Sequence, residues 1–575
     1  TEVERSTVYY PGQEQVTMAF RTVPNGHPDK EALMLLDMIL DNRTAGLINL
    51  NLNQRQRVQA AGSSPEFHND YGAQTLWGVP REGQTLGEVE QLLLEQIEMI
   101  KQGEFEDWIL PAIVNDFKRM EKRSLESNVA RVTEMREAFL SHADWNTHIG
   151  EIRRLERVTK QDVIDVANRY FSEQNYVAVH RLDGPADIPE VEKPQIDPVN
   201  IDPSRQSEYA ANILAMPYDE IEPRFLEAGT DYQVAEFAPN VPVYYAHNEL
   251  NDLFTFSINI EVGTEQNELL SMASALLDKA GTVDYPAEEL QKQWYRLGSD
   301  FSFSVGSNET QISIAGMDPQ FEESLALMLS LISDPQSDAQ TLEDLKRTVL
   351  QARADQKENP AVISQALYLY NRYGDESPML QSLTSKQIRS VDAPTLLALI
   401  PQLLEYEHSI SYTGSMPLQT VSEIVSEHHQ VDSELMTPPA EKLMFAREIR
   451  DNQIYVIDRD TAQAQIRIEF PDTTYDPALT VPSSLYNNYF GSGMSSVVFQ
   501  ELREARALAY SAAARYAQGG RQDAENLMLG VIGTQNDKAI DALDAFVDLI
   551  DNMPQSFERF ADAYGSQIND YRTAT

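Results

Sequence analysis

The chain has 575 residues, enough for three or four domains at about 150 residues each, and 42% of them are hydrophobic and available to fill cores. There are 90 acidic residues against 45 basic ones, and the net charge of −45 repels phosphate backbones and argues against nucleic acid as a partner. With no Cys, disulfides and thiolate metal sites are excluded, and the apolar run ALMLLDMIL (32–40) is broken by Asp37, far short of the roughly 18 residues a membrane span needs.

Taken in chain order, VTMAF (16–20) alternates as a half-buried strand, and the stripe Val89, Leu93, Ile97, Ile100 has helical spacing. Thr159 and Asp162 stand in capping-box positions at the head of TKQDVIDVANRYF, a predicted helix that leads into the strand YVAVHRL. The Pro- and Asp-rich stretch 184–205 builds no core and reads as a linker. Beyond it, FTFSINIEV (254–262) alternates strictly, and helices follow over about 267–279 and through Leu290, Trp294 and Leu297. FSFSV and QISIA then read as paired strands, and residues 384–414 close this middle stretch as helices leading to a strand. A weaker linker lies around MTPPAEKL.

The last part repeats the first. IRIEF (466–470) matches VTMAF at an offset of 450, and Ala539, Leu543, Val547, Ile550 match the stripe that begins at Val89. At an offset of 451, LREARALAYSAA (502–513) lies over NLNQRQRVQAAG (51–62), which puts Leu52 and Gln59 under Arg503 and Tyr510. By this comparison the second copy is expected to lack its final helices and closing strand. The absence of Met or a leader pattern at Thr1 carries the matching expectation that any targeting segment precedes it. Strands and helices without regular βαβ alternation predict an α+β class: repeated two-layer sandwich domains, each a mixed, mostly antiparallel sheet with helices on one face.

Chemistry-bearing groups are few. Neither H-x-x-E-H nor H-x-x-E-H reversed occurs among the nine His, and His142, His148, His428 and His429 read as solvated or capping residues. GSGMSS (491–496) follows a helix instead of a strand and makes a poor phosphate cradle. That leaves FQELREARALAYS (499–511), read as one helix on which Arg503 and Tyr510, seven apart, share a face. A rigid guanidinium fork beside a phenol suits the carbonyl or carboxylate oxygens of an extended peptide. An exposed Arg and a half-packed Tyr is the plain alternative.

GSGMSSVVFQELREARALAY (491–510) resembles the fourth domain of the pitrilysin and insulin-degrading family of zinc peptidases, which is related to the mitochondrial processing peptidases. The resemblance implies a processing-peptidase-like metallohydrolase fold and a substrate-holding role for Arg503 and Tyr510. It also implies that residues 1–183 correspond to the family's second domain, with 184–205 a linker. Residues 206–430 would be a catalytically silent third domain, 431–449 a linker, and 450–575 a C-terminally shortened fourth domain. Met272, Ala275 and Leu276 then stand where the zinc helix of a catalytic domain has its two His and its Glu, so no metal site and no catalytic residue is expected in this chain. The zinc would be held by an N-terminal domain outside it, and the whole protein would be a zinc metalloendopeptidase acting on peptides in a two-half chamber. Three further expectations go with the resemblance: this piece alone is inactive; the compartment is the bacterial periplasm or cell envelope, with the cytoplasm as alternative; and a non-catalytic scaffold or substrate-gripping subunit is the alternative function. A peptide-binding module using a sheet edge is a third reading.

Overall fold

A computed structural model describes residues 3–172, 175–186, 207–217, 221–431, 434–442, 444–448, 451–459, 461 and 463–573. Most of the linker read at 184–205 lies outside the described residues, as do 432, 433, 443 and 449 of the one read at 431–449. The chain forms two compact units. One comprises Thr1–Asp187, Glu227–Asn359 and Ser382–Lys442; the other comprises Ile188–Leu226, Pro360–Gln381 and Leu443–Thr575.

The first unit begins with β1 (Glu4–Tyr9) and β2 (Gln15–Thr22), helix α1 (Lys30–Leu40), the π-helix π1 (Asn49–Gln54), and strands β3 (Ala60–Phe67) and β4 (Gly72–Val79). Helices α2 (Leu86–Lys101), α3 (Ile109–Ser124), α4 (Asn128–Leu140) and α5 (Lys160–Tyr170) follow before β5 (Tyr176–Leu182). The sheet order is β1-β5-β2-β4-β3, with β1 parallel to β5 and the other pairs antiparallel. Val16, Met18 and Phe20 of β2 point at the helices and are at most 1% exposed. Burial of each contributes about 2 kcal/mol. The α5 capping box forms as the sequence predicts, with Asp162 accepting from the Thr159 backbone N–H at 2.8 Å.

The same unit continues with β6 (Gln233–Ala238), β7 (Val241–His247), β8 (Leu253–Ile260), α6 (Leu270–Leu277), α7 (Ala287–Leu297), β9 (Asp300–Val305) and β10 (Thr310–Met317). Then come α8 (Phe321–Ser333), α9 (Ala339–Gln356), α10 (Pro360–Tyr373), α11 (Ala393–Gln402), β11 (His408–Gly414) and α12 (Leu418–His428); of these, α10 belongs to the second unit. The sheet order β6-β7-β11-β8-β10-β9, with β7 parallel to β11, repeats the first sheet strand for strand once the edge strand β6 is set aside. A seam of ion pairs joins the two halves: Arg119 with Asp300, Lys122 with Asp252, Lys292 with Glu106, and Arg55 with Glu288.

In the second unit β12 (Ala464–Thr474) is followed by π-helices π2 (Asn487–Gly491) and π3 (Phe499–Ala505), then β13 (Ser511–Ala517), β14 (Glu525–Thr534), α13 (Ala539–Asp551) and α14 (Phe557–Thr573). The order β12-β14-β13 reproduces β2-β4-β3. Phe490, Val498, Leu502, Ile532 and Phe546 are all fully buried between the sheet and its helices. The architecture is thus α+β, with mixed, mostly antiparallel sheets. Among the described residues no helix is long and apolar enough to cross a membrane.

Candidate substrate-binding arm

The expected helix through 499–511 is not continuous. Phe499–Ala505 is wound as a π-helix, with the Arg506 N–H donating to the Glu501 carbonyl at 3.2 Å, and it ends where Ala507 takes the left-handed conformation at φ +48°. The chain then turns into β13, and the Tyr510 N–H donates to the Gly533 carbonyl at 2.8 Å. Arg503 and Tyr510 therefore do not stack two turns apart on one helix, because the π-turn and the reversal at Ala507 break the 3.6-residue period. They meet by another route. The Arg503 guanidinium carbon lies 4.7 Å from the Phe499 ring centroid and 5.9 Å from that of Tyr510. Tyr510 is 73% exposed, and the Arg503 side chain, 43% exposed, has an ion pair only 3.5 Å long with its neighbour Glu504. An aromatic shelf thus holds a guanidinium beside an outward-facing phenol. Phe499 was not singled out from the sequence; its position four residues before Arg503 is the signal that could have found it.

The first copy has the same backbone and a different use for it. The π1 helix ends just before Gln56 at φ +50°, and Gln59 donates to the Val79 carbonyl as Tyr510 does to Gly533. Gln59 is the counterpart of Tyr510. Leu52 and Leu502 are both 0% exposed, which makes them counterparts at an offset of 450. Kept for one residue more, the 450 offset puts Asn53, and not Leu52, under Arg503, and it becomes 451 before Arg55 and Arg506. Asn53 spends its side chain on both main-chain groups of Ala61, at 2.8 and 2.9 Å. Arg55, at the end of π1 as Arg506 is at the end of π3, donates through two nitrogens to both carboxylate oxygens of Glu288. That fork match holds Arg55 above, and Glu288 below, its ordinary ionisation range.

On α6, Met272 and Leu276 are sealed in the core at 3% and 0% exposure, with Ala275 packed beside them. None of the three offers a ligand atom, so the zinc implied by the resemblance does not fit this helix. Among the described residues, Glu322, Glu427 and His428 bring ligand atoms within 4.8 Å of one another, away from α6 and with both Glu exposed. Two His depart from the solvated reading. His408 and His429 are each 4% exposed, with their Nε2 atoms 3.0 Å apart, and the His408 Nδ1 lies 2.7 Å from the Tyr406 carbonyl. Burial, and secondarily the facing His408, push His429 down to about 4. Nothing in their spacing of 21 residues announces the pair.

Residues 2–117 and 410–563 match the family described as the peptidase M16 inactive domain. An uncharacterized zinc protease of Rickettsia bellii is 23% identical over 235 residues, which make up 40% of this chain and 56% of that relative. The match thus spans little more than half of the relative's length. The solved structure of a mutant of the ferredoxin protease FusC, in complex with Arabidopsis ferredoxin, aligns with 100% of this chain and 67% of its own, at a TM-score of 0.53 and 12% identity. The periplasmic protease PqqL from Escherichia coli aligns over the same shares at a TM-score of 0.49 and 13% identity.

Proposed function

We propose that this chain, whose residues 2–117 and 410–563 match the peptidase M16 inactive domain, is the substrate-gripping part of a zinc-dependent endopeptidase that acts on extended peptides. The observation that carries the reading is the arm itself: Arg503 laid over Phe499 beside the exposed Tyr510, in a motif whose other copy has neither residue. The guanidinium donates to a substrate carbonyl or carboxylate, the phenol donates to a second oxygen, and the π-helix end holds both in place before substrate arrives. Since Met272, Ala275 and Leu276 offer no ligand atoms, the metal chemistry under this reading falls to a further domain of the full-length protein, N-terminal to this chain. Under this reading residues 1–183, 206–430 and 450–575 form chamber walls equivalent to the family's second, third and fourth domains. The Cys-free acidic composition suits the bacterial periplasm or cell envelope.

The test is a peptidase assay on the full-length zinc-containing protein. Loss of a charged hydrogen bond worth about 1.5–3 kcal/mol predicts that Arg503→Ala lowers kcat/KM about 10- to 100-fold, with Tyr510→Phe smaller in the same direction and unfolding unchanged. Unaltered turnover on peptides would refute the role. The apolar burial of the α6 positions favours a second reading, a non-catalytic scaffold or partner subunit. Absence of peptidase activity from the full-length protein in the presence of zinc would select it.

A further inference from the structure

The first copy of the arm motif is docked within its own unit. Where π1 ends, Arg55 forks onto both carboxylate oxygens of Glu288, the second residue of α7. On either side of it, Gln54 donates to the carbonyl of Asp278, just past α6, and Gln56 to that of Thr341 in the first turn of α9. Lys279 reaches back, its Nζ 3.4 Å from the Asn53 carbonyl. Three successive side chains thus fasten the end of the motif to the ends of α6, α7 and α9.

The second copy keeps the backbone and one of those three groups. Arg506 follows π3 as Arg55 follows π1, and each stands one residue before a left-handed one, Ala507 at φ +48° and Gln56 at φ +50°. Ala505 and Ala507 replace the two glutamines. Arg506 is 41% exposed, and its ion pair with Asp548 of α13 is 4.0 Å long, beyond hydrogen-bonding reach. Asp548 is also the wrong partner by the repeat. Its counterpart at the offset of 450 is Glu98, which pairs with Lys101 and leaves Arg55 to reach outside its own copy.

We propose that Arg506 docks the arm onto the N-terminal domain of the full-length protein, through a two-pronged pair with a carboxylate in the first turn of that domain's counterpart of α7. The inference rests on the function proposed above, in which α6 is the silent counterpart of that domain's metal-holding helix. The first copy then supplies the pattern: an arm motif of one domain meets the helix ends of its neighbour, and the arginine addresses the helix that follows α6. A planar guanidinium selects a carboxylate, because the two oxygens accept two parallel hydrogen bonds. Arg506 stands three residues after Arg503 and four before Tyr510, so the pair fixes both at the wall where the metal-holding helix lies.

Carbodiimide coupling of the full-length protein tests this. The reagent joins a lysine amine to a carboxylate in direct contact and does not act on arginine. The double variant Arg55→Lys with Arg506→Lys therefore carries the probe and its control together, since residue 55 should couple to Glu288 in a correctly folded chain. Peptide mass spectrometry of the monomer band should find residue 506 joined to an Asp or Glu of the N-terminal domain, in the first turn of the helix after the metal-holding one, in a yield comparable with the 55–288 link. A 506 link to Asp548 alone, or to any carboxylate outside that turn, would overturn the docking, as would no 506 link where 55–288 forms. The readout needs no peptidase activity. A missing 506 link in an enzyme that depends on Arg503 sinks the docking alone, and a 506 link in a protein indifferent to Arg503→Ala sinks the proposed function alone.

Discussion

Lowering the pH should unload the buried imidazole pair at a cost that can be worked out. The His408 Nδ1–H donates to the Tyr406 carbonyl, so its Nε2 presents a lone pair, and the single proton between the rings belongs to His429 Nε2. A further proton on His408 Nε2 would set two N–H groups face to face, and one on His429 Nδ1 would charge a buried ring stacked on Phe237. His429 falls from its ordinary 6.5 to about 4, and His408 is lowered by burial in the same sense. The unfolded chain thus binds more protons than the folded one once the pH drops below 6.5. Stability is complete above that value and is lost as the pH falls toward 4, by about 3 kcal/mol in all and about 2 kcal/mol by pH 5 for His429 alone. The assay is urea unfolding followed by tryptophan fluorescence, which reports the first unit alone because Trp77, Trp108, Trp145 and Trp294 all lie in it. The measured quantity is the stability difference between the parent and His429→Gln at pH 7.5 and pH 5, so that other titrations cancel. The Gln amide can still donate to His408 but does not titrate. The variant should gain about 2 kcal/mol on the parent between those pH values. A difference constant across the range would refute the reasoning.

Asp37 provides a change of opposite sign: burial pushes it up to about 6, against hydrogen bonds from Ser63 and Gln74. Its folded value lies above its unfolded one, so Asp37→Asn, which keeps both bonds, should stabilise most above pH 6 and lose about 2–3 kcal/mol of that advantage as the pH falls to 4, read by the same fluorescence assay. Ala507→Gly removes the strain of a left-handed alanine and should stabilise the second unit by about 1 kcal/mol, seen as slower amide exchange in β13 and β14. Arg372→Met leaves Glu469 buried and unpaired and should cost that unit about 3–5 kcal/mol in the same exchange experiment; adding Glu469→Leu should recover most of it, and a double variant no better than the single would contradict the ion-pair account.

The alternation of VTMAF and IRIEF was enough to place β2 and β12, because a sheet with helices on one face forces a period of two. The Thr159 capping box likewise marked the start of α5. The helix read over 267–279 is shorter in the structure, at Leu270–Leu277, since residues flanking a helix share its composition without its hydrogen bonds. The arm was legible in its residues and not in its shape. A π-helix keeps the composition of an α-helix, and a left-handed turn at Ala507 gives no sign in a residue type that rarely adopts one. Both offsets were legible, but the place where 450 becomes 451 was not, because the extra residue is wound into a π-turn, seven residues long in Phe499–Ala505 against six in Asn49–Gln54. The pairing of Arg372 with Glu469 joins residues 97 positions apart, and no local pattern encodes it.

The docked first copy shows what the end of this motif takes hold of. Gln54 donates to the main-chain carbonyl of Asp278 at 3.2 Å, and Gln56 to that of Thr341 at 3.0 Å. Those contacts address groups that every residue possesses. A grip of this kind does not discriminate among side chains; it discriminates between polypeptide whose carbonyls are free and polypeptide whose carbonyls are already spent in helices and sheets. At the offset of 451 the second copy has Ala505 and Ala507 in place of Gln54 and Gln56, so that copy makes neither main-chain contact and is left with the side chains of Arg503 and Tyr510 to present outward.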